Sequence, residues 1–226
     1  MTFFKTLLAI GAFLLATQAF AQSSGGNSIG FGVGILSAPQ TDLNSYLDGL
    51  NIAGVKDVGS AYEFSAQYAH RFSGTMFAVI FRPSLFTQSS TGTASANMSG
   101  VLFFPIVRLV PLENNFMKFF LQVGVGYGNI SGTLSNGSSN LAFSGGTFGG
   151  LAGLGAEFCF TPSNCIVLEG NARYLPIYRN IVTASSGNMG GSIGTPVLNG
   201  ELRANNNDVI TTMGGFLGIV GYNFYF

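Results

Sequence analysis

Apolar and polar side chains alternate with a period of two along most of the chain, and the alternation predicts eight strands. The first covers residues 27–36, with Phe31, Val33 and Ile35 on one face and Gly30, Gly32 and Gly34 on the other. The second, 61–72, sets Tyr62, Phe64, Ala66 and Tyr68 against Glu63, Ser65 and Gln67; the third, 76–87, sets Phe77, Val79, Phe81 and Leu85 against Arg82 and Ser84. In the fourth, 97–110, Val101, Phe103, Val107 and Leu109 oppose Gly100 and Arg108. In the fifth, 116–131, Phe119, Leu121, Val123, Val125 and Tyr127 oppose Lys118, Gln122 and the glycines 124, 126 and 128. The sixth, 147–160, opposes Phe148, Ala152, Leu154, Ala156 and Phe158 to Gly149, Gly153, Gly155 and Glu157. The seventh, 165–183, opposes Ile166, Leu168 and Tyr174 to Glu169, Asn171 and Arg173. The last, 208–226, lines up Phe216, Val220, Tyr222, Phe224 and Phe226 on one face.

The connections alternate long, short, long, short, long, short, long. The short ones are turns at Ser73-Gly74-Thr75, at Pro111 to Asn115 and at Thr161 to Asn164. The long ones at 88–96, 132–146 and 184–207 are small, polar and nearly uncharged, and read as mobile surface loops. An even number of strands with one set of short turns and one set of long loops is the plan of a transmembrane barrel. The expected fold is all-β: an eight-stranded antiparallel up-and-down transmembrane β-barrel with short periplasmic turns and long extracellular loops. Closure is required because an open edge would leave N–H and C=O groups bare in hydrocarbon.

Composition sharpens the reading. The 226 residues are 47% hydrophobic and only 8% charged, against ~25% charged in a typical soluble domain. No long apolar helix follows the N-terminus, so membrane-level hydrophobicity points to strands. Nine basic and nine acidic residues give no net charge and no basic stripe, which excludes nucleic acid as a partner. The chain has no Trp, so Tyr62, Tyr68, Tyr127, Tyr174 and Tyr222 with several Phe must supply the interfacial girdles. At the N-terminus, Lys5, the apolar stretch Leu7 to Ala16 and the Ala19-Phe20-Ala21 site form a cleavable secretory signal peptide over 1–21, leaving 22–226 as an outer-membrane barrel domain. The apolar stretch is too short for the ~20 residues of a spanning helix.

With these features in place, the pattern resembles the eight-stranded OmpA/OmpX-type outer-membrane barrels, and more narrowly the PorT-like barrel families of Bacteroidetes-type bacteria. The residues that carry the likeness are Gly30-Phe31-Gly32-Val33-Gly34, Gly124-Val125-Gly126-Tyr127-Gly128 and the closing Gly221-Tyr222-Asn223-Phe224-Tyr225-Phe226. The resemblance implies a Gram-negative outer-membrane location. It also implies that Tyr222, Phe224 and Phe226 form the C-terminal signal read by the barrel-assembly machinery during insertion. It implies no activity, because such barrels host unrelated functions.

The inward-facing positions gather Glu63, Arg82, Arg108, Lys118, Gln122, Glu157, Glu169 and Arg173. An eight-stranded ring is only just wide enough for its own side chains, so these residues are expected to form a paired polar plug; a lined pore is the alternative. Interior glycines would make room for bulky neighbours. Cys159 and Cys165 flank the third short turn at its periplasmic end, where the compartment permits a disulfide; two thiols without a His make an incomplete metal site. His70, the only histidine, falls next to a periplasmic turn, away from the outer loops where barrel hydrolases assemble their sites. Residues 41–50 place Leu43, Tyr46, Leu47 and Leu50 at helical spacing behind a Thr41 N-cap. They predict a short amphipathic helix that packs on its own barrel as a lid, lies on the membrane surface or binds a partner. The Gly124-x-Gly126-x-Gly128 series lacks the following helix that a nucleotide loop needs.

The expected function is therefore that of a non-enzymatic outer-membrane protein, serving envelope structure, surface attachment or a membrane complex, with no cofactor and no metal. A porin-like small-solute channel or transporter is the alternative and a lipid-modifying barrel enzyme the remote one. The expected partners are outer-membrane lipid, the assembly machinery and an unidentified protein at the extracellular loops.

Overall fold

A computed structural model describes residues 26–50, 57–90, 92, 94–137 and 139–226. The leader read in 1–21 lies outside these residues. Eight strands form the wall: β1 (Gly26–Ser37), β2 (Ser60–Arg71), β3 (Phe77–Ser90), β4 (Ala94–Glu113), β5 (Met117–Asn136), β6 (Ser139–Thr161), β7 (Asn164–Tyr174) and, after the last long connection, β13 (Gly215–Tyr225). Each pairs antiparallel with its neighbour, and β13 returns to β1, with Gly32 opposite Gly221 and Ile29 opposite Phe224, so the sheet has no open side. The chain folds as a closed eight-stranded antiparallel β-barrel.

The period-two pattern sets which way each side chain points. Phe31, Val33, Phe64, Phe81, Leu85, Val101, Phe103, Val125, Leu168 and Val220 are exposed on the outside, where lipid replaces water. The opposite faces are buried. The inner face is not polar throughout, however. Ile80, Phe86, Leu102, Phe104, Ile106 and Ile130 point inward and are buried. They continue upward into one apolar core shared with the extracellular segments.

Those segments depart most from the sequence reading. The stretches 88–96 and 132–146, taken as loops, are largely strand: β3 runs to Ser90, β4 starts at Ala94, and β5 and β6 extend from Asn136 and Ser139. Their inward positions, among them Ala96, Leu134, Leu141 and Phe143, bury against the cap, and the alternation there is hidden because the outward partners are Ser, Thr, Asn, Ala142 and Gly146 rather than large apolar residues. The predicted seventh strand instead stops at Tyr174; Pro176 follows, and the chain leaves the wall as β8 (Pro176–Ile177) and β9 (Asn180–Ser186), which pairs with the upper part of β6. Between β9 and β13 the hairpin β10 (Arg203–Ala204) with β11 (Asn207–Asp208) and the short β12 (Thr211–Thr212) complete the cap, and β12 pairs with β8. The predicted last strand is therefore several residues too long at its start. Gly215, at φ 140°, turns the chain into the wall, and a Cβ there would run into the Ser37 carbonyl.

One helix, α1 (Thr41–Gly49), lies in the first extracellular connection with Leu43, Tyr46 and Leu47 buried. It packs on its own barrel as a lid. Thr41 does not cap it: the N-cap position belongs to Gln40, and no side chain caps the helix. Gln40 instead ties the lid down, donating from Nε2 to Gln88 Oε1 (2.8 Å) and the Thr212 carbonyl (2.7 Å) and accepting from Thr212 N (2.9 Å). Tyr46 donates to the Met189 carbonyl at 2.9 Å, and its burial pushes the phenol up to about 12.

Candidate functional site

The inner face brings most of the predicted polar residues together in one network. Arg82 on β3 reaches β7, which is diametrically opposite in the strand order, and donates a two-pronged bond to Glu169 at 2.5 and 3.0 Å. Arg108 on β4 donates to Glu157 on β6 (2.8 Å) and to Glu169 (3.4 Å), and its guanidinium also reaches Gln122 on β5 at 2.9 and 3.1 Å. Gln122 donates to Asn171, and Asn171 to Glu169, at 2.8 and 3.0 Å. The circuit closes on the other side, where Arg82 meets Gln67, Gln67 donates to Asn223, and Asn223 donates to Glu157. Two cations and two carboxylates thus balance in a buried layer whose remaining donors and acceptors are amides. This is the arrangement that makes buried charge tolerable.

The glycines predicted to relieve crowding do so at defined places. A Cβ at Gly30 would land on Asn223 Oδ1, and one at Gly153 on Asn171 Oδ1. The glycine-rich faces of β1 and β6 are therefore the space into which side chains from their neighbours extend, Gln67 of β2 and Asn223 of β13 over β1, and Phe120 of β5 and Asn171 of β7 over β6.

A second pair lies apart. Arg173 donates to Glu63 (2.6 Å) and to the Met213 carbonyl (2.6 Å), while its other terminal nitrogen, buried, has no hydrogen-bond partner. Lys118 is not in the central network either. It is half-buried at the periplasmic mouth, 3.6 Å from Glu113 and over the ring of Tyr225 at 3.8 Å. Arg71 pairs with the same Glu113 at 2.5 Å, and Tyr225 donates to Glu157, linking the mouth to the central layer. The pocket between them is about 20 Å³, room for roughly one water.

Sequence reasoning placed Gln67 and Asn171 on the inward face without assigning them to the cluster, and it missed Asn223, Tyr225, Arg71 and Glu113. The first three of those follow the parity of their strands. Glu113 does not. A bulge between Leu109 and Leu112 shifts the β4–β5 register and turns a residue that should face lipid into the mouth.

Cys159 and Cys165 sit opposite each other across the β6–β7 turn and form a disulfide. Glu157 lies within 4.8 Å of both sulfurs, but bonded sulfurs offer no thiolate to a metal. His70 is exposed on the outer wall near the β2–β3 turn. Its Nδ1 lies 2.9 Å from Asn27 Oδ1, which also accepts from Tyr68, and its ring meets Phe72 edge-on. At the last strand, Phe224 and Phe226 stack on the outer wall beside the exposed Tyr222, and Phe226 N donates to the Asn27 carbonyl, so the chain end is part of the closing seam.

Neither a protein-family model nor a curated protein matches the sequence, which leaves the narrower PorT-like resemblance without support. Solved structures do match in fold. The outer membrane protein OprG from Pseudomonas aeruginosa is similar at 14% identity with a TM-score of 0.56, over 89% of this chain and 96% of that one. A major outer membrane protein from Thermus thermophilus is similar at 13% identity with a TM-score of 0.57, over 90% of this chain and all of that one.

Proposed function

We propose that this outer-membrane barrel, exported by its leader, serves the envelope without an open pore and without catalysis, and presents a folded cap at the cell surface. The observation that carries the reading is the Arg82–Glu169 bridge between opposite walls, reinforced by Arg108 with Glu157. An ion entering the lumen would have to break these pairs or shed its water among them, and either step is costly in so narrow a ring. Above the bridge the inward Phe86 and Leu102 oppose hydration of the upper lumen. The position of His70 on the outer wall at the periplasmic rim, bonded to Asn27, favours a binding or structural role over hydrolysis.

Purified protein in a planar bilayer tests this. Only baseline current is expected for the parent chain. Stable stepwise conductance that changes in Arg82→Ala or Arg108→Ala would replace the proposal with a gated small-solute channel.

A further inference from the structure

Four wall strands continue above the apolar belt with the same alternation but a different outer face. In register across β3, β4, β5 and β6, the first row outward is Thr87, Ser99, Ser131 and Ser144. The next is Ser89, Asn97, Thr133 and Ala142, and β9 extends it with Ala184. A third row begins with Ser135 and Asn140. The chain carries no acidic or basic residue at all in 83–107, 119–156 or 180–200, so no charge interrupts the array. Among the described residues, the side chains of Ser99, Ser131, Thr133, Asn97 and Asn140 hydrogen-bond to no other protein group.

This is not a loose loop surface. The reverse side of the same strands buries Met98, Leu134, Leu141 and Phe143, which holds the sheet in place. The result is a firm surface of hydroxyls and amides, repeating at the ~4.8 Å strand spacing across and at about 7 Å along each strand. Every polar group on it can both donate and accept, or offers an amide that does each.

We propose that this face binds the neutral saccharide headgroups of glycolipids in the outer leaflet around the barrel. Its position commits it to that source. The array begins directly above the exposed Val101, Phe103, Tyr127 and Phe148, so its height is that of the sugars attached to the lipids those residues touch. The Tyr127 and Phe148 rings, 5.0 Å apart at its lower edge, add an apolar platform for a sugar face. Phosphate would call for Arg or Lys, and a protein partner for a large apolar anchor at the centre of the patch; the rows of Ser, Thr and Asn hold neither, their nearest rings lying at the edge. The inference needs an outer-membrane location but not a shut lumen. A conducting barrel that still gathered glycolipid would sink the preceding proposal and leave this one standing.

The test reconstitutes the full chain in phosphocholine vesicles containing equal minor fractions of digalactosyl diacylglycerol and phosphatidylglycerol, extracts it in mild detergent and counts co-purified lipid by mass spectrometry. The expected result is enrichment of the galactolipid over its bulk fraction by about tenfold, the gain that one or two net hydrogen bonds give. It should be unchanged by 0.5 M salt, roughly half the Debye scale of physiological buffer. In Asn97→Ala/Thr133→Ala/Asn140→Ala, with an unaltered melting curve, enrichment should fall to the bulk value. If that variant does not fold, Thr133→Ala alone is measured and a partial fall is expected. Bulk-level galactolipid on the parent chain, enrichment retained in the variants, or equal enrichment of phosphatidylglycerol would each overturn the proposal. So would displacement of the lipid by an equimolar soluble galactose disaccharide, which would show that the site does not depend on the membrane.

Discussion

Glu169→Gln is the most informative single change, because its carboxylate receives Arg82 from the opposite wall, Arg108 from β4 and Asn171 from its own strand. The substitution keeps shape and removes one negative charge. It leaves Arg82 and Arg108 facing Glu157 alone, one uncompensated charge in a layer almost out of reach of solvent. Breaking a buried pair in this way costs about 3–5 kcal/mol, and the attraction of two unit charges about 4 Å apart at an effective dielectric of ~20 has the same size, ~4 kcal/mol. With a guanidinium slope of about 4 kcal/mol/M, the unfolding midpoint in lipid vesicles should fall by about 1 M. Far-UV circular dichroism is the assay, since the chain has no Trp to follow by fluorescence. The companion variant Arg82→Met/Glu169→Met removes both charges and leaves Arg108 with Glu157; it should stay within about 1 kcal/mol of the parent. A Glu169→Gln stability within about 0.5 kcal/mol of the parent, or a double variant as unstable as the single one, would refute the view that charge balance inside the ring governs its stability.

Three further outcomes follow from other contacts. Cys159→Ser/Cys165→Ser should destabilise by no more than about 2 kcal/mol in the same titration, because the disulfide closes a loop of only six residues' separation and the cysteines are already paired across a hairpin. Gly30→Ala should lower the stability by about 1–3 kcal/mol through overpacking against Asn223, whereas Gly170→Ala, whose new methyl group would meet nothing, should not. The Tyr46 phenol stays neutral in the folded lid up to about 12 but ionises near 10 once unfolded, so its contribution to stability is complete below pH 10 and is lost as pH rises from there to about 12. Absorbance titration at 295 nm should show a late-ionising phenol that Tyr46→Phe removes.

How legible was all this in the sequence? The wall was legible because its two faces differ chemically wherever lipid is the outer solvent: Phe64 beside Glu63, or Leu168 beside Glu169, fixes a parity that cannot slip by one residue without placing a carboxylate in hydrocarbon. The same parity put Arg82, Arg108, Glu157 and Glu169 on one surface, although it could not say which cation would meet which acid across the ring. Above the membrane the outer solvent is water, and Ser131, Thr133 and Asn140 look like loop residues there, so the apolar partners Leu134, Leu141 and Phe143 did not register as strand. Non-local contacts hid the rest. Gly215 and Pro176 end and redirect wall strands through tertiary contacts, and the bulge before Leu112 reverses the facing of Glu113. Gln40 carries no local signal for its bonds to Gln88 and Thr212, which lie far along the chain.

The bridge between Arg82 and Glu169 has a mechanical consequence. Spokes keep a rim from going oval, and this rim has spokes at mid-height as well as a lid and dome above. A hollow ring of the same size would yield to squeezing by flattening; this one resists. When the surrounding bilayer thickens, thins or tightens, the mismatch must then be absorbed by neighbouring lipid chains rather than by the protein's girth.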